Sequence, residues 1–269
     1  MKDIKVGFIG GGNMASAIIG GVVKAKTFPA EQIYVFDIHK EKCEELRTRT
    51  GVNIENSIDS LVQTCNIIFL AVKPQSFPSM LASIQPSVSE NKTLVSIAAG
   101  ISSDSITKAL SCRCPIIRAM PNTPLLLGEG ATAICKTENV QNDVYQLVLE
   151  LFSSSGIVAQ INEEQMNAVI SVNGSSPAYI YLFAKAVVES AEKQGIEPSV
   201  SLPLFCQTLI GSAKMLLESG NTPDELIQKV SSRGGTTIAA LDVLKEHHFA
   251  QIIDDAMKAC TARALELGK

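Results

Sequence analysis

The sequence predicts an α/β fold with a doubly wound, mostly parallel sheet, followed by an all-α domain at the carboxyl end. Near the amino terminus an apolar run meets a glycine turn and continues as a helix pattern, over residues 6–19. Strand and helix patterns then alternate to about residue 161, as in βαβ units. From residue 162 long helical patterns replace the strands, which predicts two domains, 1–161 and 162–269.

The glycine turn has the spacing G-x-G-x-x-A, formed by Gly10, Gly12 and Ala15. Gly10 permits a sharp turn, Gly12 lets a ligand phosphate approach the backbone, and Ala15 lets the next helix pack on the strand. The free N–H groups of that helix would face a pyrophosphate. A ligand-free turn also favours small residues, but a second predicted strand at 33–36 favours a Rossmann-type dinucleotide site.

The second strand ends at Asp37, whose carboxylate could bind an adenosine ribose and would favour NAD. His39, Lys40 and Lys42 follow and could instead bind a 2′-phosphate, which would favour NADP. The residues alone leave both cofactors open.

Later strand patterns end in residues suited to a ligand, on the side where open α/β sheets bind one. The patterns are 66–72, which ends at Lys73 and Pro74, 93–100, which ends in Ala98, Ala99 and Gly100, and 115–119, which runs into a rigid loop at Asn122. Lys73 could equally be a solvated residue that caps its strand. Strands are also predicted at 131–135 and 156–161, with a helix at 140–152 between them.

In the carboxyl-terminal half, helices are predicted at 163–171, 179–194, 199–218, 223–230, 237–246 and 249–267. Residues 222–225 form a capping box with proline at the first helical position. Residues 178–184 and 202–217 are apolar around most of the helix circumference and must be buried on most sides. A small helical domain cannot bury them alone, so we expect an obligate dimer.

Two glycine-containing loops interrupt these helices, at 173–177 and 230–237. The second offers the hydroxyls of Ser231 and Ser232, exposed backbone N–H groups and a new helix start, which suits a carboxylate. Arg233 could add a positive charge. The alternative is a polar interhelical loop whose serines and threonines cap helices.

Composition limits the partners of the chain. The 269 residues are 46% hydrophobic and 19% charged with a net charge of −4, which gives no electrostatic reason for nucleic acid or an anionic membrane as partner. Charged Lys2, Asp3 and Lys5 precede the first strand, and no apolar run of about 18 residues is evident, so we expect a cytoplasmic protein. The seven cysteines are scattered, which predicts reduced structural thiols and no metal site.

Several ordered motifs across both predicted domains resemble pyrroline-5-carboxylate reductase, the last enzyme of proline biosynthesis. They are GFIGGGNMASAI at 7–18, FLAVKPQ at 69–75, SIAAGI at 96–101, RAMPNTP at 118–124, NGSSPAY at 173–179 and SSRGGTTIAAL at 231–241. The resemblance implies reduction of 1-pyrroline-5-carboxylate to L-proline by NADPH, with NADH as the alternative. It also implies a helical dimerisation domain and dimers that assemble into larger rings such as a decamer.

The resemblance and the strand ends together predict the site residues. Cofactor-binding residues are Gly10, Gly11, Gly12, Asn13, Met14, Ala15, Asp37, His39, Lys40, Asn56, Ala71, Val72, Lys73, Pro74, Ala98, Ala99 and Asn122. Substrate-binding residues are Ser175, Ser231, Ser232, Gly234, Gly235, Thr236 and Thr237. Thr237 is the expected catalytic residue, with its hydroxyl at the imine nitrogen. No histidine or metal is required, because a protonated imine is already electrophilic.

The chain departs from the family pattern at three positions. Ser176 replaces a common glycine, Arg233 replaces a common proline, and Ile170 stands where a threonine is common.

Two kinds of alternative function remain open. One is a reductase of another cyclic imine, or a hydroxyacid dehydrogenase, on the same scaffold. The other is a nucleotide-binding scaffold without turnover.

Overall fold

The computed structural model describes residues 4–268, which form two compact units. The first unit runs to Pro177 and takes in the chain again from Lys258, and the second is Ala178–Met257. Lys2 and Asp3, which support the expectation of a cytoplasmic protein, lie outside the described residues.

The first unit contains one eight-stranded sheet with the order β3-β2-β1-β4-β5-β6-β7-β8. The strands are β1 Val6–Ile9, β2 Ile33–Phe36, β3 Asn53–Ile54, β4 Ile67–Leu70, β5 Thr93–Ser96, β6 Ile116–Met120, β7 Gly130–Lys136 and β8 Gly156–Gln160. Among these strands the neighbours pair in parallel except β6 and β7, which pair antiparallel. The predicted doubly wound, mostly parallel sheet is confirmed.

Helices cover both faces of the sheet. They are α1 Asn13–Ala25, α2 Lys40–Thr50, α3 Ile58–Thr64, α4 Phe77–Ile84, α5 Ser103–Leu110 and α6 Asn142–Ser153. Successive residues of a strand point to opposite faces, so Phe8 lies in the core under α1 and α6, and Ile9 in the core under α3 and α4. Phe8 stacks on Phe69 of the neighbouring strand with ring centroids 4.4 Å apart.

The remaining helices are α7 Ser176–Lys193, α8 Pro198–Glu218, α9 Pro223–Lys229, α10 Thr236–Glu246 and α11 Phe249–Leu267. The capping box before α9 is confirmed, since Thr222 N–H donates to Glu225 Oε2 over 2.7 Å and Glu225 N–H donates to Thr222 Oγ1 over 3.3 Å. The N–H and the hydroxyl of Thr222 both donate to the Glu225 carboxylate and hold the pKa of this exposed group below its usual value.

The prediction of a helix at 163–171 is wrong. The chain there forms a 3₁₀ turn, Glu163–Gln165, and a π-helical turn, Ile170–Gly174. The Glu163 side chain leaves the turn to accept from Ser103 N–H over 2.8 Å, and Asn173 reaches back to the β6–β7 region. These long-range hydrogen bonds favour the irregular backbone over a continuous helix.

Helix α8 leaves its apolar side chains uncovered within the described chain. Ser201 is the only buried residue among its described residues, while Leu204 is 65% and Leu217 80% exposed. The helix is also long and apolar enough to cross a membrane, with a mean hydropathy of 1.4 and 6% of the apolar window buried. The expectation that no such segment exists is therefore wrong on length and composition. A helix that packs against a second subunit has the same composition, as expected for a dimer.

The end of α11 packs on the loop after β5. Gly100 there has φ +83°, and a Cβ on Gly100 would overlap the carbonyl oxygen of Ala264. Ala264 is buried in a small cluster with Met120 and Ile170. This contact lies within the first unit, close in sequence to predicted cofactor residues Ala98 and Ala99.

We predict that Gly100→Ala destabilises the protein more than Gly128→Ala. Both glycines have left-handed φ values, +83° and +81°, so the substitutions share a cost of about 1–2 kcal/mol. No described atom lies within 4 Å of a Cβ on Gly128, whereas Gly100 meets α11. The expected difference is about 1–3 kcal/mol in the free energy of unfolding, measured by urea denaturation. Equal destabilisation would show that α11 does not pack tightly here.

Candidate active site

The glycine turn lies where the strand order of the sheet reverses, between β1 and β4. Open α/β sheets form a ligand crevice at this point, at the carboxyl ends of the strands. Gly10 has φ +104°, and its N–H donates to Phe36 O over 2.7 Å. A Cβ on Gly10 would lie 2.6 Å from the carbonyl oxygen of Ala71. Only glycine lets the ends of β1, β2 and β4 meet this closely.

The amino end of α1 is open to a ligand. Gly12 precedes the helix in an extended conformation, with no side-chain cap and no described atom within 4 Å of a Cβ. Asn13 and Met14 begin the helix, and Ala15 is buried against the sheet. The first N–H groups of a helix have no partner within it and suit an anion. The arrangement fits the pyrophosphate of a dinucleotide.

Asp37 braces this turn from the end of β2. Its Oδ2 accepts from Gly11 N–H and its Oδ1 from His39 N–H, both over 2.8 Å. Lys42 Nζ lies 3.8 Å from Oδ2, and the Asp37 side chain is 10% exposed. His39 and Lys40 are exposed at the start of α2, which has no side-chain cap within the described chain. The carboxylate thus holds the turn, while the α2 start offers donors to solvent.

Other predicted cofactor residues lie at neighbouring strand ends. Asn56 follows β3 and is exposed. After β4, Ala71 and Val72 are half-buried. Exposed Lys73 precedes a 3₁₀ turn whose first residue is Pro74. After β5, Ala98 is buried and Ala99 half-buried.

Both polar atoms of the Asn122 side chain are hydrogen-bonded within the protein. Its Oδ1 accepts from Ala131 N–H over 2.9 Å, and its Nδ2 donates to Asn173 O over 3.2 Å. In return Asn173 Nδ2 donates to Met120 O over 2.7 Å and to Ala131 O over 2.8 Å. Both asparagines are buried, so this crosslink fixes the loop after β6 against the π-helical turn. Sequence reasoning missed this role of Asn173, although the residue stands within a predicted loop motif.

A buried ion pair holds the same edge. Arg118 on β6 is 3% exposed, and its Nη1 lies 3.1 Å from Glu163 Oε1. The same oxygen accepts from Ser103 N–H at the start of α5. Cys135 lies opposite Arg118 on β7, and burial raises the pKa of its thiol to about 11, so the thiol stays neutral. A buried charge is stable only when paired, so Glu163 fixes Arg118 in place.

Ser175 lies in the first unit, beside the last helix. Its N–H donates to Ile170 O over 2.7 Å in the π-helical turn, and its Oγ accepts from Cys260 Sγ–H over 3.3 Å. Ile170 is buried in an apolar cluster, which explains why no polar side chain is needed there. Cys260 is a neighbour that sequence reasoning missed, because the two residues are far apart in the chain.

The predicted substrate loop lies in the second unit. Gly234 has φ +73°, and Gly235 N–H donates to Ser232 O over 2.9 Å to close a tight turn. A Cβ on Gly235 would lie 2.9 Å from the backbone oxygen of Ser232, so the turn favours glycine. The neighbouring Ser231 Oγ is buried and has no hydrogen-bond partner within the described residues.

The same turn leads directly into α10, which begins at Thr236 with no side-chain cap from the described chain and no acidic residue in its first turn. Thr236 and Arg233 are exposed. Thr237 is half-buried, and its hydroxyl makes no hydrogen bond within residues 4–268. The start of α10 therefore offers free N–H groups and a free hydroxyl, a set suited to a carboxylate and an adjacent polar atom.

Comparisons with known proteins agree with this geometry. Residues 163–267 match the family described as pyrroline-5-carboxylate reductase dimerisation, and residues 5–100 match NADP oxidoreductase coenzyme F420-dependent. The pyrroline-5-carboxylate reductase of Escherichia coli (strain K12) is 37% identical over 265 residues, 98% of each chain. That of Methanosarcina acetivorans is 34% identical over 269 residues, 100% of each chain.

A crystal structure of Plasmodium falciparum pyrroline carboxylate reductase with NADP bound covers 100% of both chains, at 31% identity and a TM-score of 0.91. The match extends over the dinucleotide turn and the predicted substrate loop alike. Full-length identity above 30% is shared with relatives that all have the same activity in their names. The chain belongs to the pyrroline-5-carboxylate reductase family.

Proposed function

We propose that the protein reduces 1-pyrroline-5-carboxylate to L-proline with NADPH, and that Thr237 is its catalytic residue. The observation that carries the proposal is the turn of Ser232 and Gly235 at the uncapped start of α10, in a chain that also has an open dinucleotide turn. A site for a dinucleotide alone would not need this second anion site. The overall reaction consumes one imine, one NADPH and one proton, and yields proline and NADP⁺.

The substrate end of the proposal depends on the start of α10. The free N–H groups after Gly235 bind the substrate carboxylate, since the positive end of a helix dipole favours an anion. The Thr237 hydroxyl, which has no partner in the described chain, then hydrogen-bonds the ring nitrogen. A bound reduced nicotinamide would supply the hydride to the imine carbon. The protein's task is mainly to hold the two reactants in place, which alone can lower a barrier by several kcal/mol.

The proposed preference for NADPH depends on the end of β2. The Asp37 carboxylate already accepts two backbone N–H groups and faces Lys42, so it is a poor free acceptor for a ribose hydroxyl. The exposed side chains of His39 and Lys40 and the uncapped start of α2 offer donors for an anion beside it, and Glu41 is the acidic residue in the first turn of the same helix. A 2′-phosphate would accept hydrogen bonds from these donors.

The proposed assembly is a dimer that joins four others in a decamer, in the cytoplasm and without nucleic acid or membrane as partner. The exposed apolar side chains of α7, α8, α10 and α11 support burial by further copies of the chain. The seven free cysteines fit a reducing compartment.

We predict that Thr237→Ala lowers kcat/KM for 1-pyrroline-5-carboxylate about 10- to 100-fold, the effect of losing one hydrogen bond of about 1.5–3 kcal/mol to a charged group. Binding of NADPH, measured by fluorescence titration, should stay nearly unchanged. Thr237→Ser keeps the hydroxyl and should restore most of the activity. Full activity of Thr237→Ala would remove this residue from the mechanism, and no turnover by the wild type would remove the proposed reaction.

We predict that Lys40→Ala raises KM for NADPH about tenfold and leaves KM for NADH unchanged, because the lysine contacts only the 2′-phosphate. Lys24→Ala, at an exposed position near the end of α1, is the matched control for loss of charge. Steady-state assays with both cofactors measure the effect. A wild-type enzyme that prefers NADH would contradict the cofactor proposal.

We predict a mass of ten chains by sedimentation velocity at micromolar concentration. A dimer mass would contradict the decamer and leave the dimer intact.

A further inference from the structure

Two cysteines converge far from the candidate active site, in the connection between α5 and β6. Cys112 and Cys114 flank Arg113 just before β6 begins, whereas Asn122 follows the opposite end of that strand. Cys114 Sγ lies 3.0 Å from Cys112 Sγ and donates a hydrogen bond to it. Among the cysteines in the described chain, no other two share a hydrogen bond.

The backbone on both sides holds the pair in place. Ser111 adopts a left-handed conformation, φ +51°, that turns the chain out of α5. Arg113 O accepts from Asn139 Nδ2 over 2.9 Å, and Pro115 O accepts from Leu94 N–H over 2.9 Å. These contacts leave the two thiols little freedom to separate, so their convergence is a property of the fold.

The distances permit a disulfide. The Cα atoms of residues two positions apart cannot be separated by more than about 7 Å, the upper limit for a disulfide. The two sulfurs must close from 3.0 Å to a bond of about 2.05 Å. Small rotations of both side chains can supply this movement of about 1 Å.

The two thiols differ in access. Cys112 is half-buried between exposed Ser111 and Arg113, so a small reagent can reach its sulfur. Cys114 is 2% exposed. Burial, and then the hydrogen bond and charge of Cys112, raise the pKa of the Cys114 thiol to about 12, with Glu90 adding to the effect. Cys112 is therefore the sulfur that reacts first with an oxidant, and Cys114 is the sulfur that then closes the disulfide.

We propose that Cys112 and Cys114 form a reversible dithiol–disulfide pair whose oxidant is a small disulfide of the glutathione class. The Cys112 thiolate attacks one sulfur of the oxidant, which releases one thiolate and leaves a mixed disulfide on Cys112. The Cys114 thiol gives its proton to a base and attacks Cys112 Sγ, which releases the second thiolate. Two protein thiols are oxidised to one disulfide, and one small disulfide is reduced to two thiols.

The proposal does not depend on the enzymatic function of the chain, since neither cysteine is near a predicted site residue in sequence or at the same edge of the sheet. It predicts slow ring closure at neutral pH, because little of the Cys114 thiol is ionised so far below its pKa of about 12. Closure should accelerate about tenfold per pH unit as the thiolate fraction rises.

The test uses the full-length protein with Cys206→Ser, which removes the exposed cysteine of α8. The protein is incubated with oxidised glutathione, alkylated, digested with trypsin and analysed by mass spectrometry. Cleavage after Arg113 separates Cys112 from Cys114 in the reduced protein, so a disulfide keeps peptides 109–113 and 114–118 together. We expect this linked product, reversal by dithiothreitol, and faster formation at higher pH.

Two variants separate the steps. In the Cys114→Ser variant the reaction should stop at the mixed disulfide between glutathione and Cys112. The Cys112→Ser variant should form neither this mixed disulfide nor the protein disulfide. Asn139→Ala, which frees the Arg113 carbonyl, should slow ring closure relative to the first step. A wild-type pair that keeps glutathione on Cys112 without closing, or that does not react at Cys112, would overturn the proposal.

Discussion

The close approach of three strand ends at Gly10 is the constraint on which the dinucleotide end of the structure depends. The N–H of Gly10 reaches the end of β2, and its missing side chain leaves room for the backbone of Ala71 after β4. Because the strand order reverses at this point, the crevice opens directly beside the turn. The Asp37 carboxylate fixes the turn by accepting a hydrogen bond from Gly11 N–H, and the start of α1 stays free for an anion.

The other loops at this edge are fixed by buried polar contacts. Asn122 Nδ2 donates to Asn173 O in the π-helical turn, and Asn173 Nδ2 donates to Met120 O at the end of β6. Glu163 joins Arg118 to the start of α5. Buried polar groups are costly unless they are hydrogen-bonded, so each contact favours one arrangement of the backbone. Two polar atoms of these side chains, Arg118 Nη2 and Asn173 Oδ1, are buried without a partner among the described residues. These contacts restrict the loops at this edge, and an enzyme that acts by positioning its reactants benefits from such restriction.

The helical half follows a different principle. Its described helices α8, α9 and α10 bury almost no side chains, and large apolar residues such as Leu204 and Leu217 are exposed. A chain cannot be stable in water with so much apolar surface unless another surface covers it. Residues 163–267 match a dimerisation family, which indicates self-association through this part of the chain.

The sequence by itself determined the features that depend on neighbouring residues. Apolar runs predict the buried strands, the glycine spacing predicts the turn at Gly10, and the pattern at 222–225 predicts a capping box that the structure contains. Only the tertiary structure decided the antiparallel pairing of β6 and β7, the Asn173 crosslink, and the loss of a regular helix at 163–171. Each depends on partners 40 or more residues away or on pairing across the sheet, as for Arg118 with Glu163 and Asn122 with Asn173. Local propensity contains no information about such partners, so long-range hydrogen bonding overrides it there.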